Sequence, residues 1–286
     1  MTRVDPHWLD LRGPADVRAR TDSATGLADE LARWLHRRRP AGPVRLVDVG
    51  AGTGAGATWL RHHLAHLLPP ARQNWRLVDH DPDLLVRAQP VSQAWATPEI
   101  ADLTRLAGLL AEEPTDAVTC QALLDLLTAG ECRALLEPAV AHRAAVLAGL
   151  TVTGWVDLQP GHPADELVGE AFNAHQRRAG RLGPAAGDLA AETLRDQGYT
   201  VTAAATPWRL RGPDRELTDA WLRGRAEAAT EQRPRDAARI EGWLADRLQA
   251  ARHGRLEAVV GHVDLLGLPP DGSLTSNAVV RTQQVG

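Results

Sequence analysis

The stretch Val44-Arg45-Leu46-Val47-Asp48-Val49-Gly50-Ala51-Gly52-Thr53-Gly54-Ala55-Gly56 limits the fold more than any other part of the chain. Its first half is a short β-branched run, which reads as a strand. Beyond the glycines, Trp59, Leu60, Leu64, Leu67 and Leu68 recur at helical spacing, and Pro69-Pro70 closes the period. The glycines therefore form a turn between a strand and a helix. Without side chains there, backbone N–H groups at the helix start can come close to a ligand.

The alternation continues on both sides of this unit. Residues 22–39 predict an amphipathic helix through Leu27, Leu31, Trp34 and Leu35. Arg76 to Asp79 predicts a second strand, and Asp81-Pro82 the cap and first turn of a short helix. Leu103 to Leu110 predicts a helix, 116–119 a strand, 130–142 a helix and 144–158 a strand that turns into a hairpin at Gly154. Helices follow over 164–180 and 187–197, a strand over 199–203, a helical pair over 214–229 and 235–252, and a last strand over 256–266. Such alternation implies a doubly wound, mostly parallel sheet with helices on both faces. The expected units are a lid segment 1–21, an α/β domain 22–266 with a helical insertion about 213–254, and a loose tail 267–286.

Composition narrows the classes. No apolar run approaches the ~20 residues of a spanning helix, and the N-terminus lacks a secretory h-region. Cys120 and Cys132 are too few for a disulfide framework. A cytoplasmic, reduced protein with no membrane partner is expected. All 32 basic residues are arginine, which reflects genome base composition, and the net charge of −4 argues against nucleic acid. His62, His63 and His66 share one helix without a carboxylate at matching spacing, so no metal is expected. The Walker loop is excluded by the absence of lysine, and no G-x-S-x-G hydrolase motif occurs.

Two ligand classes use a glycine turn of this kind, dinucleotides and S-adenosylmethionine. Only a G-x-G-x-x-A variant of the dinucleotide fingerprint fits, and dinucleotide folds usually keep the first strand apolar, whereas Asp48 interrupts it. Val47-Asp48-Val49-Gly50-Ala51-Gly52-Thr53-Gly54 resembles the signature of class I S-adenosylmethionine-dependent methyltransferases, an acid followed by G-x-G-x-G. The resemblance implies seven strands, the last antiparallel, and S-adenosylmethionine as cofactor at the C-terminal ends of the first strands. It implies that Asp48 serves the ammonium, that Gly50, Ala51, Gly52 and Thr53 form the turn around the amino-acid end, and that Asp79 accepts the ribose diol. His80 would pack on the adenine, Asp102 and Leu103 would meet its amino group, and Cys120 and Gln121 would line the methionine end.

In such a family the acceptor site lies outside the core. Arg20 is expected to reach the cofactor carboxylate and Trp8 to roof the site. Phe172-Asn173-Ala174-His175-Gln176-Arg177 packs many functional side chains into under two turns. Phe172 and Gln176 are candidate acceptor contacts and His175 a candidate general base. Cys120-Gln121-Ala122-Leu123 stands where base-amino methylating subfamilies carry Asn/Asp-Pro-Pro-Tyr/Phe. The expected activity is O-, N- or C-methylation of a small molecule in bacterial secondary or cofactor metabolism, with homodimerisation left open. A non-catalytic S-adenosylmethionine-binding protein, an NAD(P)-dependent oxidoreductase and an RNA methyltransferase are the alternatives.

Overall fold

The computed structural model describes residues 5–270 except 24 and 93. Two helices, α1 (Pro6–Ser23) and α2 (Thr25–Arg38), precede the first strand. The α/β alternation then runs β1 (Val44–Val49), α3 (Ala55–Leu64), β2 (Gln73–Asp79), α4 (Pro82–Ser92), β3 (Ala96–Ile100), α5 (Leu106–Glu112), β4 (Ala117–Gln121), α6 (Ala129–Ala141) and β5 (Ala145–Gln159). Then come α7 (Asp165–Gln176), α8 (Ala186–Asp196), β6 (Thr200–Ala205), β7 (Trp208–Leu210), α9 (Arg215–Gln232), α10 (Ala237–Arg252) and β8 (Glu257–Leu268).

The strands lie in the order β3-β2-β1-β4-β5-β8-β6, with β7 added beside β8. The β3-β2-β1-β4-β5 block is parallel, and β8 runs antiparallel to β5, β6 and β7. The sheet thus has eight strands rather than seven, the extra one being the three-residue β7. A segment of that length carries too little period to register in the sequence.

Side-chain alternation builds the two-faced core. Val47 and Val49 enter a cluster with α5, α6 and α8, whereas Val44 and Leu46 enter one with α2, α3 and α4. A third cluster joins α1, α7, α9 and α10 to β7 and the start of β8. It puts a helical layer over one end of the sheet. That layer contains the expected insertion at 213–254, as α9 and α10.

Three boundaries differ from expectation. Gly154 does not turn a hairpin. Thr151 and Val156, on either side of it, both pair with β8, and register shifts between Ala148 and Thr151 and between Val152 and Val156 mark bulges in one long, bent strand. The expected lid segment 1–21 has no separate boundary where it is described: it lies within α1, which runs on to Ser23 and buries Ala15, Ala19 and Arg20. Gly13 and Pro14 disguise that helix in the sequence. The expected tail begins too early, since Gly267 and Leu268 still belong to β8, and residues 271–286 lie outside the described part. No described helix is long and apolar enough to cross a membrane.

Candidate active site

The turn after β1 is fastened to the end of β2. Gly50 and Ala51 donate their N–H groups to the Val78 carbonyl at 2.8 and 3.1 Å. Gly50, Gly52 and Gly54 all have positive φ, 66°, 54° and 74°, which a residue with a Cβ adopts only at a cost. The N–H of Gly52 donates to Asp79 Oδ2 at 2.8 Å, and that of Asp81 to Asp79 Oδ1 at 2.9 Å. Asp79 is thereby locked in one orientation at the carboxyl edge of the sheet, with lone pairs left on both oxygens.

Asp48 sits beneath this turn. It pairs in register with Thr119 of β4, whose hydroxyl donates to Asp48 Oδ1 at 2.5 Å. Burial pushes its carboxyl up to about 7, against the opposing pull of the Thr119 bond and of the Arg20 charge.

Above these groups opens a cavity of about 520 Å³, within the range of small-molecule sites. One part of its wall is Asp48, the turn Gly50 to Thr53, Asp79, His80, Asp102, Leu103 and Gln121. Asp102 also caps the short turn at 103–105, accepting from Thr104 N at 2.9 Å. Another part comes from the helical layer and the strands beneath it, among them Trp8, Arg12 and Asp16 of α1, Phe172, Asn173 and Gln176 of α7, Trp221 and Arg225 of α9, Trp208 of β7 and His262 of β8.

The layer is held by polar bonds. Asp16 accepts from Arg12 Nε at 2.9 Å and from Trp208 Nε1 at 2.9 Å, tying α1 to β7. Asn173 Nδ2 donates to the Gly154 carbonyl at 3.0 Å, across a gap that a Cβ at Gly154 would close. His262 is buried beside Trp208, with ring centroids 4.8 Å apart, and its Nδ1 lies 3.0 Å from the Val260 carbonyl. A carbonyl only accepts, so Nδ1 carries the proton and Nε2 keeps its lone pair. Desolvation, with Arg12 adding to it, lowers the His262 pKa to about 4, so the ring is neutral at pH 7.

Three expected site residues face elsewhere. Cys120 follows Thr119 by one position in β4, so strand alternation turns it into the α5–α6 core, where it is buried. Arg20 is buried behind the cavity wall, its guanidinium 4.5 Å from the Trp59 ring and Nη1 donating to Gln121 Oε1 at 3.1 Å. It holds Gln121 from behind. His175 points from α7 to α9, with Nε2 3.0 Å from Glu231 Oε2. The helix rotation that brings Phe172 and Gln176 to the cavity carries His175 off it, which contradicts its expected role as base.

Sequence reasoning placed Trp221 in the core of the helical pair and did not single out Trp208, Arg225 or His262, yet all four line the wall. Trp221 and Arg225 are four residues apart, so they share a helix face, a signal that could have been read. Nothing local marks Trp208 or His262, because only strand pairing brings them together.

No protein-family model matches the sequence, and no curated protein does. Solved structures do. A cyclopropane-fatty-acyl-phospholipid synthase-like protein from Lactobacillus casei ATCC 334 superposes with a TM-score of 0.51 at 15% identity, over 85% of this chain and 92% of that one. The fold is that of the class I S-adenosylmethionine-dependent methyltransferases. The cyclopropane synthase MmaA2 from Mycobacterium tuberculosis superposes at a TM-score of 0.44 and 13% identity, over 85% of this chain and 83% of that one. In this methyltransferase fold the glycine turn, Asp79 and the cavity all lie at the carboxyl ends of the parallel strands, where open α/β sheets place their ligands.

Proposed function

We propose that the protein is an S-adenosylmethionine-dependent methyltransferase that methylates a small molecule on oxygen, nitrogen or carbon. One observation carries the reading. Asp79, fixed by the Gly52 and Asp81 amides, faces the same cavity as the glycine turn, and that cavity continues into an aromatic compartment beneath α1, α7 and α9.

The residues fit the cofactor. Asp79 offers both oxygens to a ribose diol, and the turn from Gly50 to Thr53 offers backbone to an amino-acid end. Asp48 offers a carboxylate to an ammonium, and Asp102 and Leu103 an edge to adenine. When bound, the cofactor would supply an electrophilic methyl group on a sulfonium to the acceptor, with S-adenosylhomocysteine as leaving group and the acceptor's proton passing to solvent.

The chain's own part is alignment and exclusion of water. Most of the acceleration in such a displacement comes from holding the partners in line within a dry pocket. Neutral His262 presents Nε2 as a hydrogen-bond acceptor. With a pKa of about 4 it holds an acceptor O–H or N–H in place better than it retains a proton. His175 takes no part.

The test is turnover. The protein is incubated with S-adenosylmethionine labelled in the methyl group and a small-molecule metabolite extract. Label is expected in a small product, with an equal amount of S-adenosylhomocysteine, and Asp79→Ala should abolish both. Cofactor binding with no label transferred from any extract would make the protein a binding protein and not an enzyme.

A further inference from the structure

Among the described residues three arginines are buried, Arg20, Arg225 and Arg247. Arg20 bonds to Gln121, and Arg247 to Asp165 and to the Pro160 carbonyl. Arg225 has neither a hydrogen bond nor an ion pair to any described residue. It is only 5% exposed, and it lies on the cavity wall. Its guanidinium is 4.5 Å from the Phe172 ring and 5.3 Å from that of Trp221, so its charge rests on aromatic faces while its N–H donors remain unused.

A lone buried cation is costly unless it meets a counter-charge. The carboxylate that acts on it from a distance is Asp165, which is already bonded to Arg247 and to Trp243 Nε1. Burial lowers the Arg225 pKa to about 10, so the group is cationic at pH 7. Two further arginines line the same cavity: Arg12, which is committed to Asp16, and Arg181, which has a partner of its own. A second gap adjoins the first in sequence: Asn173 Oδ1, next to Phe172, is buried without a donor.

We infer that the acceptor is a monocarboxylate with an apolar body, its carboxylate held by the Arg225 fork among Phe172 and Trp221. The chemistry favours a carboxylate over a phosphate. One guanidinium neutralises one negative charge and matches a planar carboxylate with two parallel bonds, whereas a phosphate dianion calls for a second free cation. Asn173 Oδ1 would take a hydroxyl or amine hydrogen of the same molecule. The inference rests on the proposed methyl transfer for the word acceptor, but the anion site stands on its own geometry.

The test uses the full chain, first titrated with S-adenosylhomocysteine and then, loaded with it, with benzoate, its neutral isostere benzamide, and phenyl phosphate. Benzoate should bind about tenfold to a hundredfold more tightly than benzamide, the scale of hydrogen bonds to a charged group. Arg225→Met should erase that preference and leave S-adenosylhomocysteine binding unchanged. Arg225→Lys, the milder variant if the first does not fold, keeps the charge without the fork and should weaken benzoate binding. Equal binding of benzoate and benzamide, no binding of either, a preference that survives Arg225→Met, an unweakened Arg225→Lys, or tighter binding of phenyl phosphate would each overturn the assignment. If S-adenosylhomocysteine fails to bind, the methyl-transfer reading falls, and the same titration on unloaded protein still decides the anion site.

Discussion

Asp48 is an acid that burial keeps partly protonated near neutral pH, and this makes its role measurable. The ordinary aspartate pKa is 3.8, and that of Asp48 in the fold is about 7. A raised carboxyl stabilises the fold below its unfolded pKa and loses that contribution as pH rises through the folded one. Wild type should therefore lose stability relative to Asp48→Asn between about pH 4 and pH 7, at roughly 1.4 kcal/mol per pH unit. Urea melts of both proteins across that range check it, and a flat difference would mean that Asp48 is not desolvated. His175 gives a second test. Its pairing with Glu231 is half exposed, so His175→Ala should leave turnover unchanged and cost less than about 1 kcal/mol. Loss of turnover with an intact fold would restore it to the site. Asp48 and Asp79 are legible in the sequence because each lies at or next to the end of a short strand run, beside recognisable turn residues. Cys120, Arg20 and His175 are not, because the right neighbourhood does not give side-chain direction, and one step along a strand or a helix reverses it.

At the scale of elements, α1 behaves as a docked wall. Its Asp16 takes two bonds from Arg12 and one from Trp208, and Trp59 Nε1 of α3 reaches Thr21 Oγ1 at 3.2 Å. Asp16→Ala should cost about 1–3 kcal/mol, as for a buried polar partner removed. Hydrogen exchange should quicken in α1 and β7 while β1 and β4 stay protected. Exchange that is unchanged in α1 would show that the apolar contacts of Ala15 and Ala19 suffice to dock it. The periodic helices, α2, α5, α6, α9 and α10, are readable to within a few residues because their apolar faces repeat. α1 is not, since its apolar positions are sparse and Pro14 interrupts it. Gly154 reads as a hairpin turn in the sequence because glycine serves bulge and turn alike, and only the shared pairing of Thr151 and Val156 with β8 separates them.

For the whole molecule, strand–helix alternation in the first half predicts the parallel block, since each crossover must return a strand to the same sheet. The order β5-β8-β6 and the helical layer over the cavity depend on contacts between distant segments, which periodicity does not encode. The same holds for the acceptor compartment, which draws on α1, α7, α9 and β8 together. The central claim is that the glycine turn and Asp79 hold S-adenosylmethionine and not a dinucleotide. Calorimetric titration of the purified full chain with S-adenosylhomocysteine and, separately, with NADH tests it most directly. Saturable one-to-one binding of S-adenosylhomocysteine with no heat from NADH is the predicted result; tight NADH binding with none for S-adenosylhomocysteine would contradict it.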